Sequence, residues 1–303
     1  MLLQTRRSPA NSGDAPEHAS IENVFAPLDG SKAAKAALPV ARTMARLFCA
    51  TLHVVSVRDV LVRPEKALQE VGLSREELRG TILHQLCGSP AEAIINVVQA
   101  ATSALLVMCT HTRAETDQFS FGSTTEAVLR KAPSRVLLIA PEQELQDWTI
   151  RRVMLAHDGT PSADIAIAPA AETASRAGAE VTAMHVAARI AEQSQEAGSL
   201  SARYVDQAQH EWPAWAGEFL DRMLALGHPS PAVKFKLLVT GGQPGSEVAQ
   251  VARESTADLV VLSWHGCWEE QRCETLKVIA RRCGCPVLLV KSKASATESL
   301  RAA

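Results

Sequence analysis

The chain states one pattern twice. Around residue 24 it reads Val-Phe-Ala-Pro27-Leu28-Asp29-Gly30-Ser31, and around residue 153 Val-Met-Leu-Ala-His-Asp158-Gly159-Thr160. Three further matches follow in the same order: Gly88-Ser-Pro90 with Gly242-Gln-Pro244, Ala104 to Met108 with Asp258 to Leu262, and Val136 to Ile139 with Val287 to Val290. A unit this long repeated once means two similar domains rather than a solenoid, whose periods run to about 20–50 residues. With 303 residues, each copy is long enough to bury a core of its own. The expected division is a flexible tail over 1–20, a first domain over 21–140, a linker over 141–150, a second domain over 151–291 and a flexible tail over 292–303.

Each copy alternates short Val/Ile/Leu-rich runs with amphipathic stretches. In the first, the runs are 23–28, 51–57, 81–87, 104–109 and 135–140; in the second, 152–156, 180–186, 232–239, 258–263 and 286–291. Continuous apolar runs are the mark of strands covered on both faces, and strand alternating with helix gives a parallel sheet with right-handed crossovers. The predicted fold is therefore α/β: two tandem doubly wound domains, each a five-stranded parallel sheet ordered 3-2-1-4-5 with helices on both faces. The first copy is 25 residues shorter between its second and third strands. Its second helix should be stunted, whereas the second copy has room for a full helix over about 213–226.

A net charge of -2, from 31 basic and 33 acidic residues, supplies no basic stripe for nucleic acid and no polybasic patch for a membrane. No apolar run approaches the roughly 18–20 residues of a membrane span, and residues 1–20 lack the apolar stretch of a secretory signal. Seven scattered cysteines suit reduced thiols, and the expected location is the cytoplasm.

In an open parallel sheet, ligands sit beyond the carboxyl ends of the strands where the strand order reverses. Asp29 ends the first strand there, Cys109-Thr-His111-Thr112 leaves the fourth, and Phe121-Gly122-Ser123-Thr124-Thr125 opens the next helix. Such a helix start offers backbone N–H groups and hydroxyls to an anion.

These residues resemble the universal stress protein family in its tandem form, through Asp-Gly-[Ser/Thr] after strand one, Gly-x-Pro before helix three and the final Pro-x-Leu-Leu-like strand. The resemblance implies a regulatory protein of the stress response. It also implies an ATP site built on Gly-x2-Gly-x9-Gly-[Ser/Thr] after strand four, with magnesium as a possible companion. Carried over by position, Cys109 and Thr112 replace the first two glycines, Gly122 and Ser123 keep the last pair, and nine residues separate Thr112 from Gly122. Pro27, Leu28 and Asp29, Val57 at the end of strand two, His111 and Thr124 complete the expected site for an adenine nucleotide. The resemblance further implies a pseudodimer within one chain, residues 136–140 running antiparallel to 287–291, with a homodimer of whole chains as a further possibility and an unidentified regulatory protein as partner.

In the second copy the corresponding loop is three residues shorter, and Glu274 falls at the position of Ser123, where a carboxylate would repel phosphate. Domain 2 is thus expected to be degenerate, with Trp264 and Trp268 filling its crevice. Plainer roles stand beside these: Asp29 and Asp158 as helix caps, His111 and His265 as loop histidines without a base partner, and Cys267, Cys273, Cys283 and Cys285 as small buried side chains, because they lack the Cys-x2-Cys spacing of a zinc site. No catalytic residue and no metal ligand is assigned. A nucleotide-free interaction module and a slow ATP hydrolase remain open as alternatives.

Overall fold

A computed structural model of the chain describes residues 2–4, 20–110, 121–131, 135–143, 145–187, 216–264, 266 and 271–291. Strand β1 is Leu2–Gln4 and β2 is Asn23–Pro27; helices α1 (Lys32–Lys35) and α2 (Ala37–Phe48) follow, then β3 (Thr51–Arg58), α3 (Pro64–Val71), β4 (Thr81–Cys87), α4 (Pro90–Gln99), β5 (Ala104–Cys109), α5 (Ser123–Lys131) and β6 (Arg135–Ile139). The second half runs through β7 (Arg152–Ala156), a 3-10 turn at Pro161–Ala166, α6 (Ile167–Ala177), β8 (Glu180–Ala187), α7 (216–227), β9 (Phe235–Gly241), α8 (Pro244–Glu254), β10 (Leu259–Trp264), α9 (Gln271–Arg282) and β11 (Val287–Lys291).

The strands form one sheet, β1-β9-β8-β7-β10-β11-β6-β5-β2-β3-β4. All pairs are parallel except β1 with β9 and the central β11 with β6, where Leu288 faces Leu137 and Leu289 faces Val136. The two halves are therefore segments of a single sheet rather than separate sheets, since each lends its last strand to the other and neither keeps an edge at the seam. The tail expected to be loose contributes a strand at Leu2–Gln4. That is a correction with a plain cause: β9 would otherwise present an edge of unpaired backbone groups, and β1 covers it. The other tail, 292–303, lies outside the described residues.

Side chains alternate across the sheet, so each strand feeds two cores. One core lies under α2, α3, α6 and α7 and includes Val40, Met44, Ile167, Phe219 and Met223; it takes Leu137 and Ile139 from β6 and Leu288 and Val290 from β11. The other lies under α4, α5, α8 and α9 and takes the alternate residues Val136, Leu138, Val287 and Leu289. Both cores cross the seam. The linker is pinned as well: Trp148 is buried and its indole N–H donates to the Asp258 carbonyl (2.9 Å), while the Asp258 carboxylate accepts the Arg151 and Arg152 amides (2.8 and 2.9 Å). As the shorter first copy implied, α3 has eight residues, against a helix over 216–227 in the second half. Pro213, the expected start of that helix, lies outside the described residues.

One buried polar feature interrupts the second core. His53 Nε2 lies 3.0 Å from Asn23 Oδ1, which can only accept, so Nε2 carries the proton and Nδ1 accepts from His84 Nε2 at 2.8 Å. Phe25 stacks on His53 at 4.5 Å between ring centroids. Burial lowers the pKa of both histidines below the ordinary 6.5, aided at His53 by the neighbouring ring. Their neutral forms are thus favoured in the folded chain, and below pH 6.5 the unfolded chain binds more protons. Stability should be fully expressed above the unfolded pKa and fall as pH drops through 6.5 towards the lower folded values; denaturant titrations between about pH 8 and pH 5 would show it. A His84→Leu chain, with one titrating partner removed, should lose less over that range.

Candidate functional site

At the carboxyl ends of β2 and β5 lies a crevice of about 440 Å³. Its walls are Pro27, Leu28 and Asp29 from β2 and the turn after it, Val55 and Val57 from β3, Met108 and Cys109 from β5, Pro90 and Ile94 from α4, Ala34 from α1, and Gly122, Ser123, Thr124 and Thr125 at the start of α5. Of the residues singled out in the sequence, Pro27, Leu28, Asp29, Val57, Cys109, Gly122, Ser123 and Thr124 meet here; His111 and Thr112 lie outside the described residues. Thr125, part of the helix start marked in the sequence, also lines the crevice; Val55, Ile94 and Met108 were not marked there, although Val55 could have been found, because it shares a strand face with Val57.

Asp29 is exposed and its carboxylate accepts the Ser31 amide at 2.8 Å. The helix cap is Ser31, whose hydroxyl accepts the Ala34 amide at 3.0 Å. Asp29 therefore closes the turn rather than capping the helix, as does Asp158, which accepts the Thr160 amide (2.9 Å) and hydroxyl (2.6 Å). At the other end of the crevice, the Glu126 amide bonds the Gly122 carbonyl (2.9 Å), so the amides of residues 123–125, in the first turn of α5, come before the helix's regular bonding begins. Buried Phe121 anchors this start. Cys109 is buried and its thiol is pushed up to about 12, first by burial and then by Glu142 and Asp29, so it stays a neutral thiol. Its backbone is not left-handed: the non-glycine residues with positive φ among those described are Cys49, Ser103, His228 and Thr256. Replacing a glycine by Cys109 thus carries no left-handed penalty.

The second half repeats the crevice nearly residue for residue, with about 290 Å³ enclosed by Ala156, His157, Asp158, Met184, Val186, Pro244, Val248, Leu262, Ser263, Trp264, Thr275, Leu276 and Ile279. Glu274 does not face it. Its side chain is 66% exposed and pairs with Lys277 at 2.7 Å, which corrects the expected repulsion between Glu274 and a bound anion. What differs is where the helix meets the cavity. In the first half the opening turn of α5 lines the wall; in the second the wall is Thr275, Leu276 and Ile279, beyond the first turn of a helix that begins at Gln271. Trp264 is buried in the wall and donates its indole N–H to the Leu129 carbonyl near the end of α5, across the seam (2.9 Å). Trp268, His265 and Cys267 lie outside the described residues.

His157, which replaces Leu28, is buried. Its Nδ1 accepts the Gly159 amide (3.0 Å), so Nε2 holds the proton and donates to Asp164 (3.0 Å), which also pairs with Arg222 (3.2 Å). Burial lowers its pKa, against the pull of Asp164 and Asp158. A charged ring would set an Nδ1 proton against the Gly159 N–H, so geometry and burial agree on the neutral form.

The model of the universal stress protein family matches the chain twice, over 20–140 and 149–291. The chain belongs to the universal stress protein family. Among curated proteins none matches it. Solved structures similar to this tandem universal stress protein include a protein of unknown function from Pseudomonas aeruginosa PAO1, at 17% identity with a TM-score of 0.65, covering 90% of this chain and 93% of that one. A putative universal stress protein from P. aeruginosa UCBPP-PA14 gives 16% and 0.62 over 90% and 94%, and one from Archaeoglobus fulgidus gives 15% and 0.57 over 89% and 98%. These likenesses show the fold. Among the described residues of this family member, no three His, Cys, Asp or Glu side chains are grouped to hold a metal, and no helix is long and apolar enough to cross a membrane.

Proposed function

We propose that this chain is a regulatory stress protein whose first half, residues 21–140, binds one adenine nucleotide, ATP in the first instance, while the half over 151–291 does not. The observation that carries this reading is the crevice with the first turn of α5 at one end and Asp29 at the other. A helix N-terminus stabilises an anion by about 0.3–1 kcal/mol at the surface and up to about 2 when partly buried, and three consecutive residues with hydroxyl side chains, Ser123, Thr124 and Thr125, stand beside its amides. The apolar walls from Val55, Val57, Ile94 and Met108 suit a base and sugar, and Asp29 suits their hydroxyl or amino donors. Magnesium would sit with the phosphates. Occupancy then biases the surface that a regulatory partner reads in the cytoplasm.

The test is a nucleotide census. Protein denatured straight after purification should release about one adenine nucleotide per chain on an anion-exchange column, as a single site requires. Val57→Trp, which places an indole in the mouth of the first crevice, should release none; Val186→Trp, its counterpart in the second half, should leave the count unchanged. No nucleotide, with no calorimetric heat on adding ATP and magnesium, would establish a closed interaction module instead. ADP accumulating with time would mean hydrolysis.

A further inference from the structure

The crevice of the second half is retained but differently furnished. Nine of its lining residues are apolar: Ala156, Met184, Val186, Pro244, Val248, Leu262, Trp264, Leu276 and Ile279. Buried Thr125 of the first crevice has become Leu276, and Trp264 stands two residues after Leu262 where Thr110 follows Met108 in the first half. Among the described residues no Lys or Arg lines it, and α9 presents its flank, whose amides bond within the helix. An anion would gain nothing here. A cavity of about 290 Å³ exceeds, by roughly a factor of two, the engineered apolar cavity of about 150 Å³ that binds benzene.

We infer that the second crevice is a separate binding site for an uncharged two-ring aromatic compound that carries one ring N–H. The volume admits two fused rings where one suffices for half the space. Trp264 supplies an aromatic patch of the wall, backed by the buried Met184. Asp158 at the exposed mouth, alone among the charged groups of the described lining, accepts the ring N–H. The His157 ring, held by Gly159 and Asp164 and packed against Phe219, is turned away from the crevice and puts no cation into it. The same repeated fold thus offers one crevice to an anionic ligand and the other to a neutral one. This inference stands on the second crevice alone and does not depend on nucleotide binding in the first.

The probe is 6-fluoroindole, titrated into the full chain and followed by fluorine NMR. Its resonance should shift and broaden to saturation at about one molecule per chain, and Val186→Trp, at a half-exposed position, should weaken binding at least about tenfold. Val248→Trp, on α8 rather than β8, should do the same; two variants on separate elements, each checked by circular dichroism, separate loss of the site from loss of the fold. Val57→Trp should leave the titration unchanged. The inference is overturned if no saturable shift appears, if both second-half variants bind as the parent does, if ATP displaces the probe competitively, or if 1-octanol displaces it as effectively as indole, which would make the site merely greasy.

Discussion

Replacing Leu137 with alanine should destabilise the whole molecule by about 2–5 kcal/mol, the range for truncating a buried leucine, and should lower a single unfolding transition rather than split it. Leu137 is fully buried in β6 and faces Leu288 of β11 across the antiparallel seam. Both lie in a core that also holds Val40 and Met44 of the first half and Ile167 and Phe219 of the second. A cavity opened there loosens both halves at once, because the contacts on each side share the same atoms. Total stabilities of about 5–15 kcal/mol make such a loss large. Differential scanning calorimetry checks it: one endotherm moved to lower temperature is expected, and two separated endotherms in the parent chain would mean that the halves unfold independently.

Much of this architecture could be read before the structure because the repeat supplies each assignment twice. A strand inferred from one copy alone would be weakly supported, but Ala104 to Cys109 and Leu259 to Leu262 are both continuous apolar runs, and the structure buries all six residues of the first. The first crevice was legible for the same reason: strand ends and a helix start are set by backbone pattern, and Asp29, Cys109 and Gly122 to Thr124 mark them. Side-chain direction was not legible. Aligning Glu274 with Ser123 says nothing of whether the helix has already begun, and α9 starts at Gln271, three residues earlier, so that Glu274 turns outward to Lys277. His157 was hidden too. Its neutral state depends on Asp164, seven residues on, and on the Gly159 amide, a juxtaposition that only the turn after β7 creates. Strand β1 escaped because three residues, Leu2–Gln4, carry no periodicity that could be counted.

The two halves also differ in how tightly their first turns are enclosed, and a matched pair of substitutions should expose it. Gly30 and Gly159 occupy equivalent positions, with φ of +88° and +86°. Alanine at either meets the same left-handed cost, about 1–2 kcal/mol, and the same gain from a stiffer unfolded chain, so these effects cancel between the pair. The surroundings do not. A Cβ at Gly30 would lie 2.4 Å from the Glu70 carbonyl oxygen, at the end of α3, which is backbone held further by the Arg58–Glu70 ion pair. At Gly159 the nearest atom is His185 Cε1 at 3.2 Å, on a half-exposed side chain whose Nδ1 lies 3.0 Å from the His157 carbonyl, so a shift of a few tenths of an ångström suffices where backbone would have to move at Gly30. Gly30→Ala should therefore cost about 2–5 kcal/mol in all, the left-handed cost plus about 1–3 for overpacking, against about 1–2 for Gly159→Ala. Urea midpoints at a common slope measure the difference. Because relief of the clash must push the Asp29–Ser31 turn away from α3, Gly30→Ala should also empty the first crevice of nucleotide, whereas Gly159→Ala should leave the census unchanged; equal midpoints for the two variants would show that α3 yields freely and that the short first half is no more tightly closed over its turn than the second.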